Sequence, residues 1–527
     1  MANSVYEYVK SFEVEDRIML PNTIIIHVRA RDFCRFSQVH KFEKPNDEKK
    51  ALELMNECAN AVLAQFPEVI FSYGYGDEYS FIFKKKTEFY NRRGSKILSL
   101  IVSFFASTYV TKWRALFPHK ELEYAPSFRA RVICCELLQA YLLWRQDECY
   151  ANNEYDTCLW QLIKSGKSKE EAQATLRGLL KQDKNELSGQ CFNISDIPKM
   201  FRQDTCSFKT KVEEIVKYKD GSPIIRLRSR VVTVHSENIA SKRFWNENKC
   251  LSEEELGQFC EKLNETRPDQ YIKSFQYESR LMLSTWIVVR IDGCRFHSFC
   301  DDHEFEKPND ARALNLMNAC AVAVLEEFRG VVFAYGVSDE YSFVLNKDSR
   351  LYQRCASEIV SSIVSFFSST YTMRWNEFFP QKEMIYLPYF DGRAVCYPSS
   401  EIKDYLAWRQ VDCHINNQYN TCFWLLVKSG MSKSGAQNEL QGTQAPAKYE
   451  LLDGLTGVPN YYDTLPPMFR QGSSVFLDKE TELVVVGHGN IIETGFWETN
   501  PHILDEKADH FKAVQTATGK NGSDVAP

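Results

Sequence analysis

The chain has 527 residues, of which 44% are apolar and 13% aromatic, and its formal net charge is −6. This length predicts several domains or a few large ones, and the composition excludes wholesale disorder. The negative charge argues against a generally basic nucleic-acid coat, so RNA binding has to be local. We expect a soluble intracellular protein without a membrane partner, because the N-terminus lacks an apolar signal and the apolar runs are short.

An internal repeat sets the organisation of the chain. Residues 8–12 return as 271–275, and Trp144–Arg145–Gln146 returns as Trp408–Arg409–Gln410. A period of about 263 residues indicates duplication of a whole domain. We predict a first domain over 1–235, a linker over 236–267 without counterpart in either copy, a second domain over 268–499, and a disordered tail over 500–527.

Each copy has the pattern of a mixed α/β domain. In the second copy, the β-branched run 286–291 predicts a buried strand, 313–328 predicts an amphipathic helix, and 331–335 with 341–345 predicts a hairpin. Strand, helix and hairpin in this order begin a ferredoxin-like, polymerase-palm-like domain. The predicted fold class is therefore α/β (α+β), with two tandem palms, each an antiparallel sheet with helices.

Two aspartates stand at neighbouring chain reversals in the second copy. Asp292 and Gly293 end the first predicted strand, and Asp339 lies in the hairpin turn. If the strands are neighbours, the two carboxylates meet at one edge, and Gly293 lets its carbonyl approach a ligand. Such hard oxygen ligands suit Mg²⁺, and two ions would clamp a phosphoryl displacement. The alternative is that Asp292 only starts a turn and Asp339 only caps the hairpin.

Several longer motifs occur in one fixed order in the second copy. They are Val289–Arg290–Ile291–Asp292–Gly293 with Phe296–His297, then Lys307–Pro308–Asn309–Asp310, then Ser338–Asp339–Glu340–Tyr341–Ser342–Phe343, then Cys413–His414–Ile415–Asn416–Asn417. Together they closely resemble the tRNA-histidine guanylyltransferases. The resemblance extends through both copies, and the tandem arrangement is similar to that of the plant members.

The resemblance implies addition of a guanylate to the 5′ end of histidine tRNA, with ATP and GTP as substrates and two Mg²⁺ ions per site. The resemblance implies that Asp292, Gly293 and Asp339 bind the metal. It assigns the catalytic role to the two aspartates together with Glu340. The resemblance also implies a set of nucleotide-binding residues, which are Asp292, Gly293, Cys294, Arg295, Phe296, His297, Lys307, Ser338, Asp339, Arg93 and Lys96. The resemblance implies that His414, Asn416 and Asn417 contact tRNA. We assign Arg409 to RNA or to an intersubunit contact.

The first copy lacks the first metal carboxylate. Arg29–Ala30 stands where the second copy has Asp292–Gly293. We interpret the first copy as catalytically inactive. Our hypothesis is that Arg29 forms a salt bridge to Asp77 and replaces the absent magnesium ion.

The second copy has lost basic residues that the first copy keeps. Arg93 and Lys96, which the family uses for triphosphate, correspond to Cys355 and Glu358. The stretch 183–186 also keeps a family motif that 447–450 lacks. These complementary losses favour two copies that act as a unit, and independent drift is the alternative.

Other interpretations remain open from the sequence. Cys294, His297, Cys300 and His303 follow at intervals of three, but the first copy does not repeat the set and the spacing is not that of a zinc finger. The scattered cysteines are expected to be reduced and mostly buried. A nucleotide cyclase and a catalytically weak RNA-binding scaffold are the alternative functions. We expect a homodimer with four palms, located in the nucleus in preference to the cytoplasm.

Overall fold

The structure is a computed structural model that describes residues 4–504 except 43–45, 137, 178–203, 220–221, 237–238, 240, 249–250 and 252–278. The chain divides into two compact units. Residues 16–278 form one unit, and residues 279–527 form the other together with residues 1–15. The N-terminal residues therefore belong to the second unit, whereas the repeat had assigned them to the first domain.

The first unit is built on an antiparallel six-stranded sheet. Its strands are β1 Thr23–Ala30, β2 Val69–Tyr75, β3 Glu78–Phe83, β4 Phe128–Cys135, β5 Asp204–Lys219 and β6 Ser222–Ser236. Their order is β4-β1-β3-β2-β5-β6. The first four strands have the ferredoxin-like order, as predicted, and the long β5–β6 hairpin extends the sheet.

The described helices of the first unit include one long apolar helix, Gly94–Leu116. By length and composition it could cross a membrane, but 78% of its most apolar window is buried inside the protein. Its apolar character is therefore that of a core helix. The other helices are Phe33–Val39, Asn46–Gln65, Leu138–Lys164, Lys169–Arg177 and Lys242–Glu247, with a 3₁₀ turn at Phe89–Arg92.

The second unit repeats this architecture. Its strands are β7 Trp286–Gly293, β8 Val331–Val337, β9 Glu340–Leu345, β10 Phe390–Tyr397, β11 Ser473–Leu477 and β12 Val484–Gly487, in the order β10-β7-β9-β8-β11-β12. The predicted strand, helix and hairpin are confirmed. The described helices are Phe296–Asp302, Ala311–Glu327, Ala356–Phe378, Ile402–Lys428, Lys433–Leu440, Ala445–Thr456, Tyr461–Thr464, Pro467–Gln471 and Thr494–Thr499, with 3₁₀ turns at Glu7–Phe12 and Leu351–Arg354.

The predicted linker is wrong over its first part. Phe244 and Leu251 are buried in the core of the first unit. In the second unit Trp497 and Ile503 are buried in the same way, so the predicted tail does not begin at 500. The Phe–Trp pair at 244–245 is the counterpart of 496–497. Residues 252–267 and 505–527 lie outside the described part of the chain.

The N-terminal 3₁₀ turn, Glu7–Phe12, packs on the second unit. Val9 is fully buried in the cluster that contains Trp286, and the Phe12 ring lies 5.4 Å from that of Tyr397 between centroids. The carboxylate of Glu13 bridges two arginines that lie directly opposite each other on β7 and β10, Arg290 and Arg393. The segment thereby neutralises one of two like charges that would otherwise repel.

We expect Glu13→Gln to destabilise the second unit by about 1–3 kcal/mol, because it removes the carboxylate charge that bridges the facing residues Arg290 and Arg393. The matched control is Glu7→Gln on the same turn. Glu7 forms only an exposed pair with Lys10 and is expected to contribute less than about 0.5 kcal/mol. Urea unfolding measures both variants, and equal stability of the two would contradict the bridging role.

Candidate active site

Four carboxylates meet where strands β7, β9 and β10 come together. In the sheet register Asp292 lies opposite Glu340 on one side and opposite Asp391 on the other. Asp339 is in the two-residue loop between β8 and β9, and its carbonyl accepts the Gly293 amide at 3.1 Å. We call Asp292, Asp339, Glu340 and Asp391 the carboxylate cluster.

Burial and neighbouring carboxylates raise the pKa values of two members of the cluster, Asp292 and Asp339. Asp292 keeps a solvent-facing edge, yet lost hydration and then the neighbouring carboxylates, Asp339 first, raise its pKa to about 7. Burial raises the pKa of Asp339 to about 6. Both values lie well above the ordinary value for an aspartate, and a bound cation would lower them.

One member of the cluster already has a cationic partner. Arg409 is 6% exposed, and its Nε lies 2.7 Å from the Glu340 carboxylate. The guanidinium also reaches Asp412 at 3.2 Å and stacks over the Trp408 ring at 4.5 Å. Glu340 therefore has its ion pair within the protein, whereas the pKa values of Asp292 and Asp339 stay raised in spite of Arg290 and His297 nearby.

The remaining donors fit magnesium. Among the described residues no group of three or more His, Cys, Asp or Glu side chains is arranged to hold a metal ion. Two carboxylates with a nearby carbonyl are few ligands, and Mg²⁺ accepts this because it keeps water and substrate phosphate in its other positions. Asp292, Asp339 and the carbonyl of Gly293 are thus a suitable donor set.

The glycine of this set has a packing role that the sequence did not indicate. A Cβ on Gly293 would lie 2.4 Å from the ring of Phe296, which is 6% exposed and packs against Phe390. In the first copy the equivalent residue is Ala30, and Phe33, the counterpart of Phe296, is only half-buried. Glycine at 293 therefore allows the aromatic ring to close beneath the cluster.

Gly293→Ala is expected to push the Phe296 ring out of place and to destabilise the second unit by about 1–3 kcal/mol. The double variant Gly293→Ala with Phe296→Leu should recover part of this loss, because it makes room for the added methyl group. Chemical denaturation of both variants provides the measurement. A Gly293→Ala variant as stable as the wild type would contradict the packing role.

A cleft adjoins the cluster. Asp339 lies in its wall. The cleft brings together six other residues that are predicted from the sequence to contact nucleotide or tRNA: Phe296, His297, Lys307, Ser338, Asn416 and Asn417. Asn309, Asn420, Trp424 and Phe469 line it as well and were not predicted. Since these residues come from separate segments, the tertiary fold assembles the cleft.

The polar side chains of the cleft are held in place by their neighbours. Lys307 lies 2.9 Å from Asp301 and its Nζ is 5.6 Å from the centre of the Trp424 ring. Asn417 donates to Asn309 at 2.9 Å. Such fixed polar groups are suited to orienting a bound substrate.

The other predicted residues lie outside the lining of this cleft. Arg295 is exposed and Cys294 half-buried just after β7, and His414 packs its ring against Tyr462 at 5.3 Å. Arg409 is enclosed by its ion pairs, which support a structural role. Contact of Arg409 with tRNA stays a prediction.

The first copy reverses the charge of two members of the cluster. Arg29 stands at the position of Asp292, and Arg129, opposite it on β4, stands at the position of Asp391. Asp391 was missed in the sequence because its strand was not identified. The signal was available, since Arg129 and Asp391 are repeat counterparts of opposite charge.

The arginine of the first copy pairs with the acids that remain there. Arg29 Nε lies 3.1 Å from Glu78 and 3.9 Å from Asp77, so the hypothesised pair is present and Glu78 is the nearer partner. Arg145 also pairs with Glu78, at 2.6 Å. Burial raises the pKa of Glu78, but His27 first, and then Arg145 and Arg29, lower it below its ordinary value. The first copy thus carries its own cations.

The basic pair of the first copy has local partners. Arg93 lies 3.8 Å from Asp16, and the Lys96 ammonium is 4.9 Å from the Tyr90 ring centre. In the second copy Cys355 and Glu358 are both buried. The stretch 183–186 lies outside the described residues.

The zinc alternative is wrong for His303. Its Nδ1 donates to the Phe299 carbonyl at 2.8 Å, and its Nε2 accepts the Ile385 amide at 2.9 Å, so neither ring nitrogen is left for a metal. His40 makes the same pair of contacts in the first copy. The described cysteines are all free thiols and most are buried, as expected.

Both copies match models of known protein families. A family model described as tRNAHis guanylyltransferase matches residues 6–136 and 269–398, and one described as Thg1 C terminal domain matches 136–256 and 400–520. The tRNA(His) guanylyltransferases 1 and 2 of Arabidopsis thaliana are 59% and 58% identical to this chain. Each match covers 96% of it, and 91% and 99% of the respective relative.

Two solved structures are similar to parts of the chain. The crystal structure of the Saccharomyces cerevisiae tRNA(His) guanylyltransferase is 41% identical and covers 41% of this chain and 94% of its own, with a TM-score of 0.38. A bacterial tRNA(His) guanylyltransferase-like protein in complex with ATP is 22% identical. It covers 45% of this chain and 96% of its own, with a TM-score of 0.38.

Proposed function

Because this chain belongs to the tRNA(His) guanylyltransferase family, we propose that it adds a guanylate to the 5′ end of histidine tRNA, with ATP and GTP as its other substrates. As a member of this family it is a nucleotidyltransferase. The observation that carries the proposal is the pair Asp292 and Asp339, whose pKa values are raised and which lies beside a cleft of polar side chains.

The reaction consists of two displacements at phosphorus. In the first, the 5′ phosphate of the tRNA attacks the α-phosphorus of ATP, and pyrophosphate leaves. In the second, the 3′ hydroxyl of GTP loses its proton and attacks the activated 5′ phosphate, and AMP leaves. Two magnesium ions, when bound by Asp292, Asp339 and the carbonyl of Gly293, would neutralise the charge that develops in both steps.

The side chains of the second copy bind and orient the reactants. Lys307, His297 and Ser338 line one part of the cleft and offer donors to a triphosphate. Asn416 and Asn417 line another part and offer amide donors to the 5′ end of the RNA. Binding of this kind supplies most of the catalysis in phosphoryl-type transfers, because the reacting atoms are held in line.

The first copy is proposed to supply basic groups to the reaction. Arg93 and Lys96 are the residues that the second copy replaces by Cys355 and Glu358. Loss of activity in an Arg93→Ala, Lys96→Ala variant with an unchanged unfolding midpoint would support this contribution. Full activity would leave independent drift as the explanation.

The assembly and the compartment are further parts of the proposal. Two chains would provide four palm domains in a homodimer, which sedimentation equilibrium tests directly. Nuclear location, in preference to cytoplasmic, is tested by imaging of the tagged chain.

The decisive assay incubates the protein with ATP, GTP, Mg²⁺ and 5′-phosphorylated histidine tRNA. The proposal predicts a tRNA longer by one guanylate, with AMP and pyrophosphate as the other products. Cyclic nucleotide formed without tRNA would identify a cyclase instead. Binding of tRNA without any product would identify a scaffold, and either result would overturn the proposal.

A further inference from the structure

Charged side chains alternate in sign along one face of the sheet in the second unit. Successive residues on one face of a strand are about 7 Å apart, and directly paired residues of antiparallel strands share a face. The register pairs Asp292 with Asp391 across β7 and β10, and in the next row of the same face it pairs Arg290 with Arg393. These two aspartates of the carboxylate cluster therefore lie next to a pair of arginines.

Arg290 interacts with acids on both sides of its row. Its Nη1 lies 3.3 Å from the carboxylate of Glu13, at side-chain exposures of 18% and 23%, and among the described residues this is the carboxylate with which it forms an ion pair. Its charge also reaches Asp292, because lost hydration and then three carboxylates raise the pKa of Asp292, and Arg290 lowers it. The arginine side chain is long, so Arg290 is able to turn from Glu13 to Asp292.

Glu13 directly follows the N-terminal 3₁₀ turn, and contacts within the second unit hold this turn in place. Val9 is fully buried, and its carbonyl accepts the hydroxyl of Tyr397 at 3.4 Å. The Tyr8 hydroxyl donates to Asp404 at 2.6 Å. These contacts join the turn to β10 and to the helix that follows β10. Glu13 therefore presents its carboxylate to the arginines from a fixed position.

The repeat provides an internal comparison. The sequence position equivalent to Glu13 is Gln276, and the position equivalent to Arg290 is His27, so neither the acid nor the arginine recurs. In the first copy Arg29 replaces Asp292, and its Nε pairs with Glu78 at 3.1 Å. An arginine on this face of the sheet thus does pair with an acid at a position of the cluster.

We propose that Glu13 is a positioning residue of the metal site in the second copy. By holding Arg290, it keeps the guanidinium from forming an ion pair with Asp292 and leaves this carboxylate to Mg²⁺. The inference deepens the proposed function and rests on it, because it takes Asp292 and Asp339 as ligands of the metal. It gives the N-terminal turn a role in metal binding, although the metal ligands lie in the second copy.

The test compares variants of the full chain by calorimetric titration of the apo protein with Mg²⁺. Glu13→Gln releases Arg290, which then pairs with Asp292. Glu13→Gln with Arg290→Gln removes the competing cation as well. Glu13→Gln with Lys10→Gln restores the same net charge but keeps Arg290. Glu7→Gln on the same turn is the matched control, because Glu7 forms an exposed pair with Lys10.

Glu13→Gln is expected to bind Mg²⁺ about tenfold more weakly, because an arginine paired with Asp292 opposes a second cation there. The variant without Glu13 and Arg290 should return to within about threefold of the wild type. The variant without Glu13 and Lys10 should stay as weak as Glu13→Gln, and Glu7→Gln should equal the wild type. Urea unfolding of each variant defines the conditions in which it is folded, so that lost binding is not lost structure.

Guanylate addition provides a second readout. Glu13→Gln should need about tenfold more Mg²⁺ for its half-maximal rate, and it should reach nearly the wild-type rate at saturating Mg²⁺. A purely structural role of Glu13 would not produce this separation.

Wild-type Mg²⁺ affinity in folded Glu13→Gln would overturn the inference. So would a variant without Glu13 and Arg290 that binds no better than Glu13→Gln, because Arg290 would then not be the competitor. Recovery in the variant without Glu13 and Lys10 would overturn it too, since net charge would explain the effect.

The proposed function fails separately. A wild type whose Mg²⁺ binding depends on Glu13 as predicted, but which adds no guanylate to histidine tRNA, would refute the function and keep the positioning role. A wild type that binds no Mg²⁺ would overturn the positioning role together with the metal site.

Discussion

Asn in place of Asp292 or Asp339 is expected to lower the rate of guanylate addition by at least about 10²–10³-fold, because each substitution removes a charged ligand from the proposed metal site. Asn has nearly the size of Asp, so packing is preserved. Stability should stay equal or rise, since the substitution relieves repulsion within the carboxylate cluster. Single-turnover kinetics with labelled tRNA measure the rate, and urea unfolding measures the stability.

The matched control is Asp77→Asn, the equivalent of Asp339 in the first copy. Because Arg29 lies near Asp77 and carries a positive charge, we expect no metal at this position and less than about a twofold change in rate. A large loss of activity in the Asp77 variant, or full activity in the Asp339 variant, would contradict the assignment of catalysis to the second copy.

Arg409→Met is expected to destabilise the second copy by about 3–5 kcal/mol. The substitution leaves the Glu340 carboxylate enclosed without its cation, at a side-chain exposure of 15%. The double variant Arg409→Met, Glu340→Gln should be clearly more stable than the single one, because the unpaired charge is gone. Urea unfolding measures the loss, and hydrogen exchange in β9 assigns it to the second copy.

An exposed pair provides the control for this loss. Arg374 and Glu377 are 3.0 Å apart at side-chain exposures of 36% and 55%, so Arg374→Met is expected to cost less than about 1 kcal/mol. If the double variant were no more stable than Arg409→Met alone, Glu340 would not be the group that Arg409 neutralises.

The parts of the fold that depend on local pattern could be predicted from the sequence. The run 286–291 forms strand β7, and the residues on both sides of Asp339 form the β8–β9 hairpin, because alternation and turn chemistry are local properties. Asp292 and Asp339 could be paired for the same reason, since each stands at the end of a recognisable element.

The features of the fold and the site that could not be predicted from the sequence depend on tertiary contacts, such as which strands become neighbours. Asp391 joins the cluster only because β10 pairs with β7, and a pattern within β10 does not reveal this. The destination of the N-terminal turn could not be predicted either. The repeat gives its similarity to 271–275, whereas the burial of Val9 against the second unit is a tertiary contact.

The missed Phe–Trp repeat has a simple physical cause. The offset between the copies is 268 at Cys206 and Ser474, which the registers make equivalent, and it falls to 252 at Phe244 and Phe496. The offset falls because the β5–β6 hairpin of the first copy is longer than the β11–β12 hairpin of the second copy. A search at a constant offset therefore lost the repeat and predicted a linker where the core continues.

Calorimetric titration of the apo protein with Mg²⁺ tests most directly the claim that the second copy alone holds the metal site. Because the raised pKa values of Asp292 and Asp339, about 7 and about 6, place protons on these carboxyls at low pH, binding should be tighter at pH 8 than at pH 5.5. We predict that Asp339→Asn abolishes this binding and that Asp77→Asn leaves it unchanged. Binding that survives in the Asp339 variant, or that disappears in the Asp77 variant, would contradict it.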